Sequence, residues 1–260
     1  MSDIYIHGTE PSEQERLALL NRMTNAVFVE FLRAEPDSRV LEVGSGLGIL
    51  AARVAASATG VDVVGVELSA AQIAAATPAA RVTFSQGDAH SLDFPDASFD
   101  LVYARYLLEH VADPGRVLRE MRRVTKRGGR VAVCENDVSL LRFDPSCPAF
   151  DHAWEVFTRF QAMLGGDGLI GRRLYRLFRA AGFTDVELSV QPEVHWHGSP
   201  GFAAWVQNII GNLESARIGM LGAGLISEGA FMGAVGELEQ LKADSGGSGV
   251  FVWNRAKAVR

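Results

Sequence analysis

The sequence predicts an α/β domain built around a mostly parallel β-sheet. Two observations support this. Apolar, strand-like segments alternate five times with helix-like segments between residues 39 and 135, and a glycine-rich turn follows the first strand-like segment. The chain has 260 residues, 48% of them hydrophobic, which is enough for one large core with an added cover.

Residues 39–135 contain the elements of the alternation. An amphipathic helix is predicted before this region, over Glu13–Ala34. Ser69 is predicted to cap a later helix, with Gln72 as the reciprocal partner of a capping box. Asp113 and Pro114 are typical of a helix start, and Gly128–Gly129 are predicted to end that helix. The predicted strands are RVLEV, VDVVGVEL, RVTFSQGD, FDLVYA and RVAVCE, which begin at residues 39, 61, 81, 99 and 130.

The alternation stops at Asn136. Two further strands are predicted, at DVELSVQ and at the closing GVFVWNRAKAVR. The helical segments between them have no sheet partner of their own, so we expect them to cover one edge of the sheet as a lid. These segments are FDHAWEVFTRFQAML, GRRLYRLFRAA, PGFAAWVQNIIGNLESA and SEGAFMGAVGELEQLKA.

Composition and charge exclude several classes of protein. No run of about 18 apolar residues is present, so no membrane span is predicted. The first residues lack the pattern of a secretory signal, and Cys134 and Cys147 do not have metal-ligand or redox spacing. These features favour a cytoplasmic protein without a metal site, and the richness in Ala, Gly and Arg is typical of bacteria. A net charge of −6 argues against nucleic-acid binding.

The segment VLEVGSGLGIL, Val40–Leu50, carries the first functional signal. Its glycines permit close approach of a ligand to the backbone, and the following helix presents free N–H groups. Gly44, Gly46 and Gly48 have the spacing GxGxG, whereas dinucleotide-binding loops have GxGxxG. Glu42, just before the loop, would repel a pyrophosphate but could bind a cationic amino-acid group.

Three successive predicted strands end in carboxylates. Glu42 lies at the end of the first, Glu67 at the end of the second and Asp88 at the end of the third. The carboxyl ends of parallel strands meet at one edge of a sheet, so these side chains should line a single site. They could bind an amino acid, the hydroxyls of a ribose and the exocyclic amine of adenine, respectively. This set fits an adenosyl amino acid without phosphate.

These segments resemble a known family. In order along the chain, LEVGSGLG, VVGVELS, GDAHSLDFPDASFDLVYARYLLEHVADP, LREMRRVTKRGGRVAVCE and LFRAAGF are similar to class I S-adenosylmethionine-dependent methyltransferases, especially those acting on small molecules. The resemblance implies a Rossmann-like, doubly wound, seven-stranded sheet whose antiparallel last strand lies between the fifth and sixth, plus a helical lid. YIHG, from Tyr5 to Gly8, resembles a segment that folds over the cofactor in some bacterial members.

The resemblance also implies a division of the chain within a single domain. Residues 1–36 would form an N-terminal arm and helix that cover the cofactor site, and residues 37–136 the cofactor-binding core. Residues 137–260 would complete the sheet and carry the inserted substrate lid.

The same resemblance implies which residues hold S-adenosylmethionine. Gln72 departs from the family pattern, which often has an apolar residue against the adenine, but its stem could still pack there. The implied contacts are Glu42, Gly44, Ser45 and Gly46 at the methionine end, Glu67 at the ribose, Leu68 and Gln72 beside the adenine, Asp88 and Ala89 at its amine and ring edge, Ala104 and Arg105 on the sulfonium side, and Tyr5 over the cofactor.

Methyl transfer is an in-line displacement, so the protein must chiefly align the reactants and exclude water. A base is needed only for a nucleophile that is protonated at the working pH, and no spacing in the sequence encodes one. For His110, a local turn cap is the favoured interpretation. The candidate acceptor-site residues are Tyr106, His110, Arg142, His152, Glu155, Gln161, His195 and His197.

The sequence therefore predicts an S-adenosylmethionine-dependent methyltransferase with a small-molecule acceptor that reacts through oxygen, nitrogen or carbon. A non-catalytic partner subunit that binds an adenosyl ligand remains an alternative. A nicotinamide-dependent oxidoreductase is a second alternative, opposed by the glycine spacing. A nucleic-acid methyltransferase would need a basic surface. Either a monomer or a homodimer is compatible with the sequence.

Overall fold

The computed structural model describes the backbone of residues 11–260 and the side chains of residues 20, 21 and 23–260. Its helices are α1 (Pro11–Leu32), α2 (Ile49–Ala55), α3 (Ala70–Ala75), α4 (Pro114–Val124), α5 (Pro148–Met163), α6 (Leu174–Ala180), α7 (Phe202–Gly222) and α8 (Glu228–Ala243). Its strands are β1 (Arg39–Val43), β2 (Asp62–Glu67), β3 (Val82–Gln86), β4 (Phe99–Arg105), β5 (Thr125–Glu135), β6 (Arg142–Asp144), β7 (Val186–Trp196) and β8 (Ser248–Val259).

The strands form one mixed sheet of the predicted kind. The first five strands are parallel and lie in the order β3-β2-β1-β4-β5. The closing strand β8 is antiparallel and lies between β5 and β7, which confirms the predicted topology. The sheet has eight strands rather than seven because the short β6 pairs with β8 beyond the end of β5. This order brings the carboxyl ends of β1, β2 and β4 together.

Apolar side chains cover both faces of the sheet, as buried parallel strands require. Alternate residues of β1 point to opposite layers, so Val40 packs in one core and Leu41 in the other. The first core also contains apolar residues of α1, α2, α5, α7 and α8, and the second those of α4 and α6. Within the described part of the chain, no helix is both long enough and apolar enough to span a membrane.

The predicted start of α4 is confirmed and its predicted end is wrong. Asp113 caps α4 by accepting a hydrogen bond from the Arg116 N–H, with Pro114 at the first helical position. However, α4 ends at Val124 and not at Gly128. The β-branched Thr125 already pairs with Phe99 in the sheet, and its hydroxyl donates to the Met121 carbonyl, closing the last turn.

Helices α5, α7 and α8 pack together, and α1 packs on α7. They contribute to the same apolar core as one face of the sheet. The action of these helices as a lid and the three-part division of the chain stay predictions.

Candidate functional site

A cavity of about 530 Å³ lies where the carboxyl ends of β1, β2 and β4 meet the helices. The glycine loop, the strand ends, α1, α5 and α7 all contribute to its wall. The residues predicted for the cofactor that line it are Glu42, Gly44, Ser45, Gly46, Glu67, Leu68, Gln72, Asp88, Ala89 and Arg105.

The loop after β1 is held tightly against β2. The N–H groups of Gly44 and Ser45 both donate to the Val66 carbonyl, at 2.8 and 3.0 Å. Gly48 has a φ of +71°, and a Cβ atom there would lie 2.2 Å from the ring of Phe84. Glycine is therefore required at this position for both backbone conformation and space. The loop leaves its inner surface open to the cavity.

Glu42 and Ser45 present buried polar atoms to this cavity. Among the described residues, neither Glu42 Oε2 nor Ser45 Oγ has a hydrogen-bond partner. Burial raises the pKa of Glu42 to about 8, although the nearby Arg105 opposes the rise. Buried polar atoms are normally satisfied, so these two indicate a ligand that donates hydrogen bonds. The ammonium group of an amino acid fits this requirement.

Glu67 bridges the glycine loop and the start of α3. Its Oε2 accepts from the Gly46 N–H and its Oε1 from the Ser69 N–H, both at 2.9 Å. The predicted capping box is therefore half wrong. The Ser69 hydroxyl accepts from the Gln72 N–H, but Glu67 takes the reciprocal role. Each carboxylate oxygen can accept a further hydrogen bond, and Glu67 lines the cavity.

Asp88 lies at the end of the third strand segment, at the edge of the cavity. Its Oδ1 accepts from the backbone N–H of His90 and contacts the Nδ1 of the same residue, both at 2.8 Å. These contacts fix the orientation of the carboxylate, and they do not involve its Oδ2 atom. With Glu42 and Glu67, the site thus has the predicted row of three carboxylates.

Arg105 lines the cavity, but its guanidinium group is directed to α1. It donates to Thr24 Oγ1 at 3.0 Å and to the Oδ1 atoms of Asn21 and Asn25, both at 2.7 Å. The predicted place of Ala104 is wrong, because strand alternation directs this side chain into the core on the other face of the sheet. Tyr5 lies outside the described residues.

Of the candidate acceptor-site residues, Tyr106 and His110 line the main cavity. Tyr106 has a φ of +54°, and its ring stacks on Trp253 at a centroid distance of 4.4 Å. A non-glycine residue in this conformation is uncommon. His110 Nε2 lies 3.7 Å from Glu109 Oε1.

The structure does not bring the other candidates to the main cavity, which corrects those predictions. His195 lines a second cavity and stacks on Trp205 at 4.7 Å. Gln161 is buried beneath the site, where its amide donates to Glu109. The remaining four are exposed, because they lie on the outer faces of β6 and α5 or in the turn after β7: Arg142, His152, Glu155 and His197.

Sequence reasoning missed several polar residues that line the main cavity. Asn208 and Asn212 lie one turn apart on α7, and this pair of polar residues at helical spacing could have been noticed. Glu109 and Asn136 bind each other through the Asn136 amide, at 2.5 Å. Glu193 on β7 reaches the cavity from a strand that is distant in sequence, with no local signal.

Comparisons with known proteins agree with this geometry. Residues 41–133 match the family model described as a methyltransferase domain. The O-methyltransferase resE of Aspergillus sclerotiorum is 31% identical over 193 residues, which cover 70% of each chain. The 27-O-demethylrifamycin SV methyltransferase of Amycolatopsis mediterranei is 40% identical over 134 residues, 49% of each chain. The chain thus spans about half the length of some relatives it matches.

Solved structures show the same fold. Phosphoethanolamine N-methyltransferase 2 of Haemonchus contortus, in complex with S-adenosyl-L-methionine, aligns with a TM-score of 0.52 at 24% identity, over 95% of this chain and 52% of that one. The YcgJ protein of Bacillus subtilis aligns with a TM-score of 0.57 at 19% identity, over 92% and 99% of the two chains. Fold, glycine loop and sequence relatives agree: the chain belongs to the class I S-adenosylmethionine-dependent methyltransferases.

Proposed function

We propose that this protein transfers the methyl group of S-adenosylmethionine to a small organic molecule. The observation that carries the proposal is the continuity of the cavity, in which the row of carboxylates adjoins a part walled by aromatic side chains. Its volume of about 530 Å³ falls in the range of small-molecule sites. When bound, the cofactor supplies a methyl carbon that already carries its leaving group.

The carboxylate row would hold the cofactor. Glu42 and Ser45 would bind its amino-acid end, where their unpartnered atoms would be satisfied. Glu67 would accept hydrogen bonds from the ribose hydroxyls while it keeps the loop closed through Gly46. Asp88 would accept from the adenine amine, with Ala89 at the ring edge. Leu68 and Gln72 would pack beside the adenine, as the sequence predicts.

The aromatic part would hold the acceptor. Trp154 and Phe157 of α5 stack on each other at 4.9 Å, and Trp205 of α7 faces the same space. Such flat, rigid walls favour an apolar or aromatic acceptor over a flexible polar chain. By enclosing it, they would exclude water and align its nucleophilic atom for in-line attack.

The N-terminal helix would close the site. Leu20 and Asn21 of α1 line the cavity, and Arg105 ties this helix to β4 through three hydrogen bonds. In this arrangement Arg105 acts on the position of α1 more than on the sulfonium. The helices from residue 137 onward would then form the substrate lid of the predicted division.

The test is to incubate the purified protein and S-adenosylmethionine with one acceptor at a time. The acceptors are a panel of aromatic alcohols and amines, total RNA, and DNA. We expect S-adenosylhomocysteine to form only with a member of the small-molecule panel, which gains the mass of one CH₂ unit. Methylation of RNA or DNA would contradict the proposal. Binding of the cofactor without turnover on a broad panel would favour a non-catalytic partner subunit.

A further inference from the structure

Glu193 places a partly buried carboxylate in the aromatic part of the cavity, outside the row proposed for the cofactor. It lies on β7 and lines both the main cavity and a second cavity of about 220 Å³. Its Oε2 accepts a hydrogen bond from Trp205 Nε1 at 3.2 Å. Burial raises the pKa of Glu193, and the neighbouring indoles and Arg105 only partly offset this rise.

The charge of Glu193 is not paired within the part of the chain that the structure describes. Arg105 is near enough to lower the pKa of Glu193, but it forms no ion pair with Glu193, and its two terminal guanidinium nitrogens donate three hydrogen bonds to side chains of α1. The other carboxylate on this side, Glu109, accepts hydrogen bonds from Asn136 and Gln161. Glu193 accepts a hydrogen bond from the indole N–H of Trp205, whereas the indole N–H of the neighbouring Trp253 has no hydrogen-bond partner among the described residues. A partly buried carboxylate without an ion-pair partner favours a ligand that brings a further hydrogen-bond donor.

The surroundings of Glu193 define the rest of that ligand. The ring of Trp253 stacks on Tyr106 at 4.4 Å and meets Phe251 edge-on at 4.6 Å. Trp205 donates its indole N–H to the carboxylate and lines the same cavity. These aromatic faces accept a flat apolar body, and they also attract a cation. An anionic group would meet the carboxylate and be repelled.

We propose that Glu193 binds the methyl acceptor through its protic heteroatom, an amine or hydroxyl on an aromatic body, and receives the proton that this heteroatom releases. This inference rests on the proposed methyltransferase function. In the transfer, the heteroatom's lone pair forms the new bond to the methyl carbon while the carbon–sulfur bond breaks and its electron pair stays on sulfur. The proton of the heteroatom passes to the Glu193 carboxylate, so atoms and charge balance.

The test uses three probes with one aromatic body: 2-phenylethylamine, 2-phenylethanol and phenylacetate. Each is titrated by calorimetry into protein saturated with S-adenosylhomocysteine. We expect the amine or the alcohol to bind at least about tenfold more tightly than phenylacetate, as one unscreened charge contact would give. The tighter of the two identifies the heteroatom, and either preference supports the proposal.

The Glu193→Gln variant removes the charge and keeps the shape. It should reduce this preference to less than about threefold and strengthen phenylacetate binding, with unchanged affinity for S-adenosylhomocysteine. Glu193→Ser gives a second neutral variant in case the first does not fold. Glu187→Gln is the matched control, because Glu187 lies on the same strand but is exposed and paired with Lys257. It should leave the preference unchanged.

Three results would overturn the inference. The first is that no probe binds saturably, and the second is that the wild type binds phenylacetate as tightly as the amine and the alcohol. The third is that the preference for the amine or alcohol over phenylacetate survives in Glu193→Gln. Failure of the proposed function itself gives a different result. In that case the wild-type protein does not bind S-adenosylhomocysteine before any probe is added.

Discussion

Replacing Glu42 by Gln should make the protein more stable and the cofactor site weaker. Glu42 is 3% exposed, and its pKa is about 8 in the folded protein against an ordinary value of 4.5. Between these two values the folded protein binds a proton that the unfolded chain releases. The free energy of unfolding therefore falls as the pH rises through this window. At pH 7 the loss is about 3 kcal/mol.

Glutamine keeps the shape of the protonated carboxyl group and cannot ionise in the unfolded chain. Glu42→Gln should thus gain up to about 3 kcal/mol at pH 7, or roughly 6–12 °C in Tm. The gain should vanish below the ordinary pKa of 4.5 and grow as the pH rises toward 8. Binding of S-adenosylhomocysteine should weaken by about 1.5–3 kcal/mol, because a charge-assisted hydrogen bond to its ammonium group is lost.

The assay is urea unfolding of both proteins across this pH range, with calorimetric titration of S-adenosylhomocysteine in parallel. Wild-type affinity should rise with pH up to about 8 as Glu42 ionises, and the variant should lack this rise. Asp62→Asn is the control, since Asp62 begins the neighbouring strand β2 and lies in an exposed pair with Arg81. A variant less stable than the wild type at pH 7, or a stability difference independent of pH, would refute the reasoning.

Three other substitutions test the loop and its supports. Glu67→Ala should weaken S-adenosylhomocysteine binding by about 1.5–3 kcal/mol in calorimetry, and unchanged affinity would remove Glu67 from the ribose role. Gly48→Ala should destabilise the fold by about 1–3 kcal/mol in urea unfolding, because it adds strain at positive φ and a clash with Phe84. Gly198→Ala, also at positive φ but with no atom near the new Cβ, should lower the free energy of unfolding only by the backbone strain. Equal losses of stability in the two variants would argue against a clash at Gly48. Arg105→Gln should increase hydrogen exchange in α1, because three hydrogen bonds are lost. Unchanged exchange would mean that apolar packing alone holds this helix.

The sheet and the cofactor side of the cavity could be predicted because their signals are local. Each strand of the parallel core is a short apolar run, and each carboxylate stands at the end of its run. Once the strands are parallel, Glu42, Glu67 and Asp88 must meet at one edge. The error at Ala104 also has a local cause, since neighbouring strand residues point to opposite faces and only Arg105 could line the cavity.

The acceptor side could not be predicted because it depends on packing between distant segments. Glu193 reaches the cavity only because β7 pairs with β8 and α7 brings Trp205 against it. The tie between Arg105 and Asn25 of α1 joins residues 80 positions apart. The end of α4 is a similar case, since pairing of Thr125 with Phe99 overrides the glycines that follow. In each case tertiary contacts decide what local propensity leaves open.

The measurement that tests the account most directly is calorimetric titration of the purified protein with S-adenosylmethionine, S-adenosylhomocysteine and NADH. The account predicts micromolar binding of both adenosyl ligands and no binding of NADH, because Glu42 and Ser45 offer unpartnered polar atoms to an amino-acid group and the glycine loop lacks the dinucleotide spacing. Binding of NADH without the adenosyl ligands would contradict it. The three carboxylates would then belong to a dinucleotide site.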